Sequence, residues 1–132
     1  MKKTFLFLAL CLISVTSLFS QSEKKMVVMI TRANWCPTCR ANEDKIKSGL
    51  IPAYNASKDI EVLVNDVTNR KAKARCKPML EAANVYQIAV KELATGTVLL
   101  INPTTGAILR KMYVSDSLED LKKGISEELS KS

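Results

Sequence analysis

The chain has 132 residues, with 20 Lys and Arg against 13 Asp and Glu, four Cys and no His, for a formal net charge of +7. That length predicts a single domain. The missing histidine excludes Ser-His-Asp triads, Cys–His nucleophile pairs, His-bearing zinc sites and haem His ligation, leaving carboxylates, thiols, amines or water for acid–base work.

Taken in chain order, residues 1–20 begin with Lys2 and Lys3, run apolar from Phe5 to Ile13 and end in small polar residues. A charged start, a short apolar run and a small-residue exit are the layout of a secretory signal peptide. The run is short for a membrane span. The expectation is cleavage near Ser20–Gln21, loss of Cys11 with the leader, and export to a periplasmic or extracellular space where disulfides can form. Residues 21–132 are then the folded domain, with no stable membrane insertion after cleavage.

Residues 26–30 read as a buried strand. Cys36-Pro37-Thr38-Cys39 follows, and 40–48 reads as helix, interrupted by Gly49 and Pro52 so that 53–57 is a bent continuation or a loop. A second strand is predicted over 60–64. Residues 68–83 have helical composition, with Pro78 opening a new turn or kinking the helix. Residues 84–96 suit either a helix end or a short strand. A third strand covers 97–101, residues 102–106 form a turn, and 107–114 return as an antiparallel strand. The last helix starts at Asp116, whose spacing to Glu119 matches a capping box, and runs to about Leu129. This order predicts an α/β fold, a central mixed sheet flanked by helices, with one parallel crossover early and a hairpin late.

Arg70, Lys71, Lys73, Arg75 and Lys77 fall within eight residues. The run reads as a solvated helix face, with a patch for an anionic partner as the alternative. Interleaved aromatics and nucleic-acid modules are missing, which excludes nucleic acid as the expected partner.

The informative motif is Trp35-Cys36-Pro37-Thr38-Cys39, placed between a strand and a helix. With Cys36 at the N-cap, Pro37 fits the first helical position through its fixed φ and missing donor. The Cys36 sulfur then lies over unpaired N–H groups and the positive end of the helix dipole, which favour thiolate. Cys39 returns to the same face three residues on. The expected result is an exposed nucleophile, Cys36, with a resolving thiol, Cys39, beside it. Trp35 supplies an apolar wall, and Arg40 adds positive charge. Two other readings are half of a zinc site, which needs more ligands than Cys76 can supply, and a static disulfide, which a four-residue loop serves poorly. Cys76 lies on a helical side with Ala72, Met79, Leu80 and Ala83, the spacing of a buried inert thiol. A third redox thiol is the alternative.

These residues resemble the thioredoxin superfamily over about 24–130. The carriers of the resemblance are the strand 26–30, Trp35-Cys36-Pro37-Thr38-Cys39-Arg40, the strand 60–64 with Asp66, the hairpin 97–114 and the closing helix. The resemblance implies an exported thioredoxin-like thiol–disulfide oxidoreductase, with Cys36 attacking and Cys39 resolving. It implies no cofactor and no metal. The expected partners are protein thiols and disulfides together with a redox partner, and the expected state is a monomer. Two positions depart from the family. Its cis-proline next to the active site is matched here by Gly96, preceded by Thr95. Its buried carboxylate six residues before the first active-site Cys is matched by Ile30. A module of the same fold that binds Cu(I), Zn(II) or a partner protein through its cysteines is the non-enzymatic alternative.

Overall fold

The structure, a computed structural model, describes residues 24–132. The expected signal peptide and Cys11 lie outside the described residues.

Four strands form one sheet in the order β2-β1-β3-β4. β1 (Met26–Arg32) pairs parallel with β2 (Ile60–Asp66), Met26 facing Ile60 and Arg32 facing Asp66. On its other edge β1 pairs antiparallel with β3 (Thr97–Ile101), Val27 facing Ile101 and Thr31 facing Thr97. β4 (Ile108–Tyr113) closes the hairpin, with a register shift at Leu100/Ile101. The mixed sheet and its late hairpin follow the sequence expectation. β1 and β2 each extend two residues beyond it, because Arg32 and Asp66 continue the parallel ladder.

β1 is apolar without interruption from Met26 to Ile30 because helices cover both of its faces. Met26, Val28 and Ile30 pack with Leu50, Leu121 and Ile125 on one side. Val27 and Met29 pack with Leu63, Cys76, Leu80 and Val85 on the other. The first side is covered by α6 (Leu118–Ser130) and by the irregular helical segment after β1. The second is covered by α4 (Arg70–Ala82) and the single turn α5 (Tyr86–Ala89).

Several local expectations are narrowed or corrected. After β1, the interruption expected at Gly49 and Pro52 is a π-helical turn, and of the two expected outcomes the helix continues to Tyr54. The segment runs as α1 (Pro37–Ala41), α2 (Glu43–Lys45), a π-helical turn (Ile46–Leu50) and α3 (Ile51–Tyr54). In the π turn the Ile51 N–H reaches the carbonyl of Ile46, five residues back. The widened turn carries the chain into Pro52, which has no N–H to continue an α pattern. Pro78 does not divide α4, and Ala74, whose carbonyl loses its usual donor, lies with Pro78 on the exposed side of the helix. The N-cap of α4 is Asn69, which accepts from the Ala72 N–H at 2.8 Å. α6 is capped by Ser117 and not by Asp116: Ser117 Oγ accepts from the Asp120 N–H, while Asp116 accepts from the Tyr113 N–H. Met79 is 49% exposed, so only Ala72, Cys76, Leu80 and Ala83 of the expected stripe are buried.

α6 is held to β4 by close packing and by charge. Arg110 reaches Glu127 at 2.9 Å and the buried Glu128 at 3.0 Å, and Lys131 adds a second cation on Glu128. Gly124 sits directly over β4, where an added Cβ would come within 2.5 Å of Met112 Sδ and 3.1 Å of an Arg110 guanidinium nitrogen. Among the described residues no helix is long and apolar enough to cross a membrane.

Gly124→Ala is therefore expected to destabilise the domain although alanine is the better helix former. The helix-propensity gain of about 1 kcal/mol is offset by overpacking against Met112 of about 1–3 kcal/mol, leaving a net loss of up to about 2 kcal/mol. Urea unfolding of the variant beside the wild type measures the difference.

Candidate functional site

The C-terminal end of β1 delivers the chain to the motif. Ala33 is fully buried, and its carbonyl accepts from the Cys36 N–H at 3.2 Å. Cys36 is the N-cap of α1, with extended backbone (φ −82°, ψ 112°) and Pro37 at the start of the helix, as the sequence predicts. Its sulfur accepts from the Cys39 N–H at 3.2 Å. The two cysteines form a disulfide, with Cα atoms 5.3 Å apart.

Two features of the expected nucleophile are corrected. Cys36 is not exposed: it retains 4% of its accessible surface and Cys39 5%, in a small apolar cluster with Ala33 and Val67. The helix behind it is also shorter than the dipole argument assumes, because α1 ends at Asn42 after five residues. Support for negative charge on Cys36 therefore rests on the local amide more than on a summed macrodipole. Pro37, Thr38 and Arg40 are exposed around the pair.

Trp35 is 61% exposed and stands at the edge of the site. Its Nε1–H donates to the Thr68 carbonyl at 3.3 Å, and the Asn34 N–H donates to Thr68 Oγ1 at 2.9 Å. Below them Arg32 pairs with Asp66 at 3.0 Å and donates to Asn34 Oδ1 at 3.0 Å, while the Thr68 N–H donates to Asp66 Oδ1 at 2.9 Å. The loop after β2 is thus bound to the loop that carries the cysteines. Burial alone would raise the Asp66 pKa, but hydrogen bonds from Thr68 and the charges of Arg32 and Arg75 outweigh it and hold the carboxyl below its ordinary value.

Gly96 occupies the position that counting back from the third strand gives. Its N–H donates to the Thr31 carbonyl at 2.8 Å, and its own carbonyl accepts from the Val114 N–H at 2.9 Å. It lies in the left-handed region (φ +81°), and a Cβ placed on it would be 4.0 Å from Cys39 Sγ and 3.9 Å from the Thr38 methyl. Among the described residues there is no cis peptide bond, so the strand beside the pair is shaped by a glycine with positive φ, next to a half-buried Thr95. Ile30 is 2% exposed and packs in the core. Cys76 is free and buried, and its sulfur accepts from the Asp66 N–H at 3.4 Å. It packs with the second core cluster, apart from the cluster that holds Cys36 and Cys39. Among the described residues no three His, Cys, Asp or Glu side chains come together as a metal cluster. Sequence reasoning missed the Asp66–Arg32–Thr68 brace, whose partners come together only through the parallel register of β1 and β2.

No family model and no curated protein matches the sequence. Solved structures do. A candidate protein disulfide isomerase from Bacteroides thetaiotaomicron superposes with a TM-score of 0.55 at 16% identity, covering 84% of this chain and 77% of that one. The germline-specific thioredoxin Deadhead from Drosophila melanogaster superposes with a TM-score of 0.50 at 21% identity, covering 80% of this chain and 83% of that one. The chain has a thioredoxin-like fold, with a Cys36–Cys39 pair at the end of its central strand.

Two predictions arise from this geometry. In Gly96→Ala the added methyl meets only ordinary contacts, so the cost is the left-handed backbone, about 1–2 kcal/mol, read from thermal or urea unfolding. Asp66→Asn is expected to cost about 1–3 kcal/mol at pH 7, where a charge-assisted bond is lost. A depressed folded-state pKa adds stability above the unfolded value near ~4 and loses it as pH falls through the folded value. The gap between wild type and variant should therefore narrow as pH falls from neutral through the acid range in which Asp66 takes up its proton, measured by urea unfolding across that range.

Proposed function

We propose that this protein is a thiol–disulfide oxidoreductase that exchanges dithiol and disulfide with protein substrates through Cys36 and Cys39. The observation that carries the reading is the disulfide at the start of α1, with Cys36 as N-cap and its sulfur on the Cys39 amide. A C-x-x-C pair closing a short loop at a helix start is suited to opening and reforming, and it staples little of the chain.

In the reducing direction the Cys36 thiolate attacks one sulfur of a substrate disulfide. The new Cys36–substrate S–S bond forms as the old bond breaks, and the second substrate sulfur leaves as thiolate and takes a proton from water. The Cys39 thiolate then attacks the Cys36 sulfur. This closes the Cys36–Cys39 disulfide and releases the remaining substrate thiol, so the pair loses two electrons and the substrate gains them. The oxidising direction is the reverse, and in either case a thiol or disulfide partner resets the pair.

Trp35, Pro37, Thr38 and Arg40 form the rim that a substrate meets, and Thr95 and Gly96 form the wall beside Cys39. With Ile30 in place of a buried acid, the proton of Cys39 goes to water or to the substrate thiolate. Cys76 is a packing residue in this reading, since its sulfur is buried in the other core and bound to the Asp66 amide. The charged, apolar, then small-polar layout of residues 1–20 supports export, and the working form is read as a monomer in the periplasm or outside the cell.

The order of attack is testable by trapping. Reduced Cys39→Ser mixed with a disulfide-bonded substrate such as insulin should accumulate a mixed disulfide at Cys36, and Cys36→Ser should accumulate none. Peptide mapping by mass spectrometry without reduction reads both. Wild type that neither reduces insulin nor equilibrates its 36–39 bridge with glutathione would sink the proposal.

A further inference from the structure

Next to the pair lies a feature that the exchange chemistry does not use. An apolar cavity of about 250 Å³ opens between β2, α4 and α5. Val67 lines it and also belongs to the apolar cluster of Cys36 and Cys39, so one residue borders both the cavity and the disulfide. Asn65, 4% exposed, lies on its wall and donates to the Ala89 carbonyl at 3.4 Å. Val90 and Leu93 line its mouth with 43% and 48% of their surface exposed. Its volume is below the roughly 300–1,000 Å³ of sites that enclose a whole small molecule. It fits one large apolar side chain.

The charge at its rim has one sign. Lys73 and Lys77 line the cavity, on a helix that also exposes Arg70, Lys71 and Arg75. The first turn of α4 carries no acidic residue, although cations there oppose the helix dipole. Among the described residues Arg70, Lys71, Lys73 and Arg75 make no ion pair, and Lys77 has only Glu81 at 3.7 Å, with the Tyr86 ring beneath its ammonium. This helix begins beside the active site, since Thr68, which holds Trp35 and Asn34, directly precedes its cap Asn69.

We propose that this cavity and the cationic face of α4 form a docking surface for an acidic segment of the substrate protein, with one apolar side chain seated against Val67, Val90 and Leu93. The inference rests on the exchange reading and names its substrate class: proteins whose reactive cysteine lies near an apolar residue flanked by Asp or Glu. Lys73 and Lys77 meet the acidic flanks, the slot takes the apolar anchor, and Val67 places the bound segment next to Cys36.

The test separates docking from chemistry. In the full chain carrying Cys36→Ser and Cys39→Ser, fluorescence anisotropy reads the binding of a labelled, cysteine-free peptide with a central leucine between paired glutamates. Binding should weaken about 10-fold with Lys73→Glu/Lys77→Glu, fall as salt is raised from 50 to 300 mM, and be lost when the leucine is replaced by serine or the glutamates by lysines. Leu93→Ser should weaken it with no change in salt dependence. In wild type, the rate with the disulfide dimer of a cysteine-bearing version, divided by the rate with uncharged hydroxyethyl disulfide, should drop in the charge-reversed variant. No reaction with hydroxyethyl disulfide overturns the exchange reading and leaves docking to the cysteine-free peptide. Equal affinity for acidic and basic peptides, or affinity indifferent to Lys73, Lys77 and Leu93, overturns the docking surface. So does binding to phosphatidylglycerol vesicles with none to the peptide.

Discussion

The burial of β1 on both faces is the constraint that the rest of the molecule answers to. A strand with no solvent face can be apolar throughout, but each amide must then find a partner in the sheet and each side a helical cover. β2 and β3 supply the first requirement. The segment after β1 together with α6 covers one side, and α4 with α5 covers the other. Where the strand ends, so does the demand for apolar residues, and Arg32, Asn34 and Trp35 turn outward within four positions of the core. Cys36 lies at that boundary. It is fixed by the Ala33 carbonyl on one side and by the start of α1 on the other, and so the Cys36–Cys39 pair is anchored to the end of the central strand.

The same boundary accounts for the opposite wall. Gly96 bonds both to Thr31 at the end of β1 and to Val114 beyond β4, so it belongs to the sheet while its backbone takes a left-handed turn. A side chain there would project toward Cys39 and Thr38. Glycine thus keeps that wall free of a side chain, although the oxidised pair beneath it is buried. The loop after β2 completes the surround: Arg32 binds Asp66, Asp66 binds Thr68, and Thr68 holds Trp35. A change in Asp66 therefore reaches the tryptophan wall through two hydrogen-bonded steps and without contact with the cysteines.

Much of this was legible in the sequence where local chemistry decides. β3 follows its Thr-Val-Leu-Leu-Ile run residue for residue, and Cys36 caps α1 because Pro37 suits only the helix start. Gly96 was located by counting from a strand whose end was unambiguous. The failures lie where tertiary contacts decide. Asp116 and Ser117 are both good caps by type, and the bond from Asp116 to the Tyr113 amide assigns one of them to the preceding turn. Pro78 stays within α4 because the carbonyl it deprives can face water. The burial of Cys36 could not be read from its neighbours in sequence, since Val67 packs with it from the loop after β2. The brace of Arg32 with Asp66 spans 34 residues and exists only through register.

The pair's surroundings bear on how exchange is achieved at such a site. A thiolate at Cys36 sits in an apolar cluster that penalises charge, and against that penalty stand one amide, a five-residue helix and an exposed arginine. Access is equally limited, since the oxidised pair shows almost none of its surface. In the proposed exchange, rate then comes from holding the target sulfur in line with Cys36 for long enough to react. The proposed docking surface lies close by, where Trp35 presents a large exposed ring and Val67 borders both the disulfide cluster and an apolar slot with Lys73 and Lys77 at its rim. On the proposed docking, a small disulfide gains nothing from these features, whereas an extended acidic segment gains from all of them. In the proposed exchange, selection then resides in docking: the cysteines set what reaction occurs, and the surface formed by β2, α4 and α5 sets on whom.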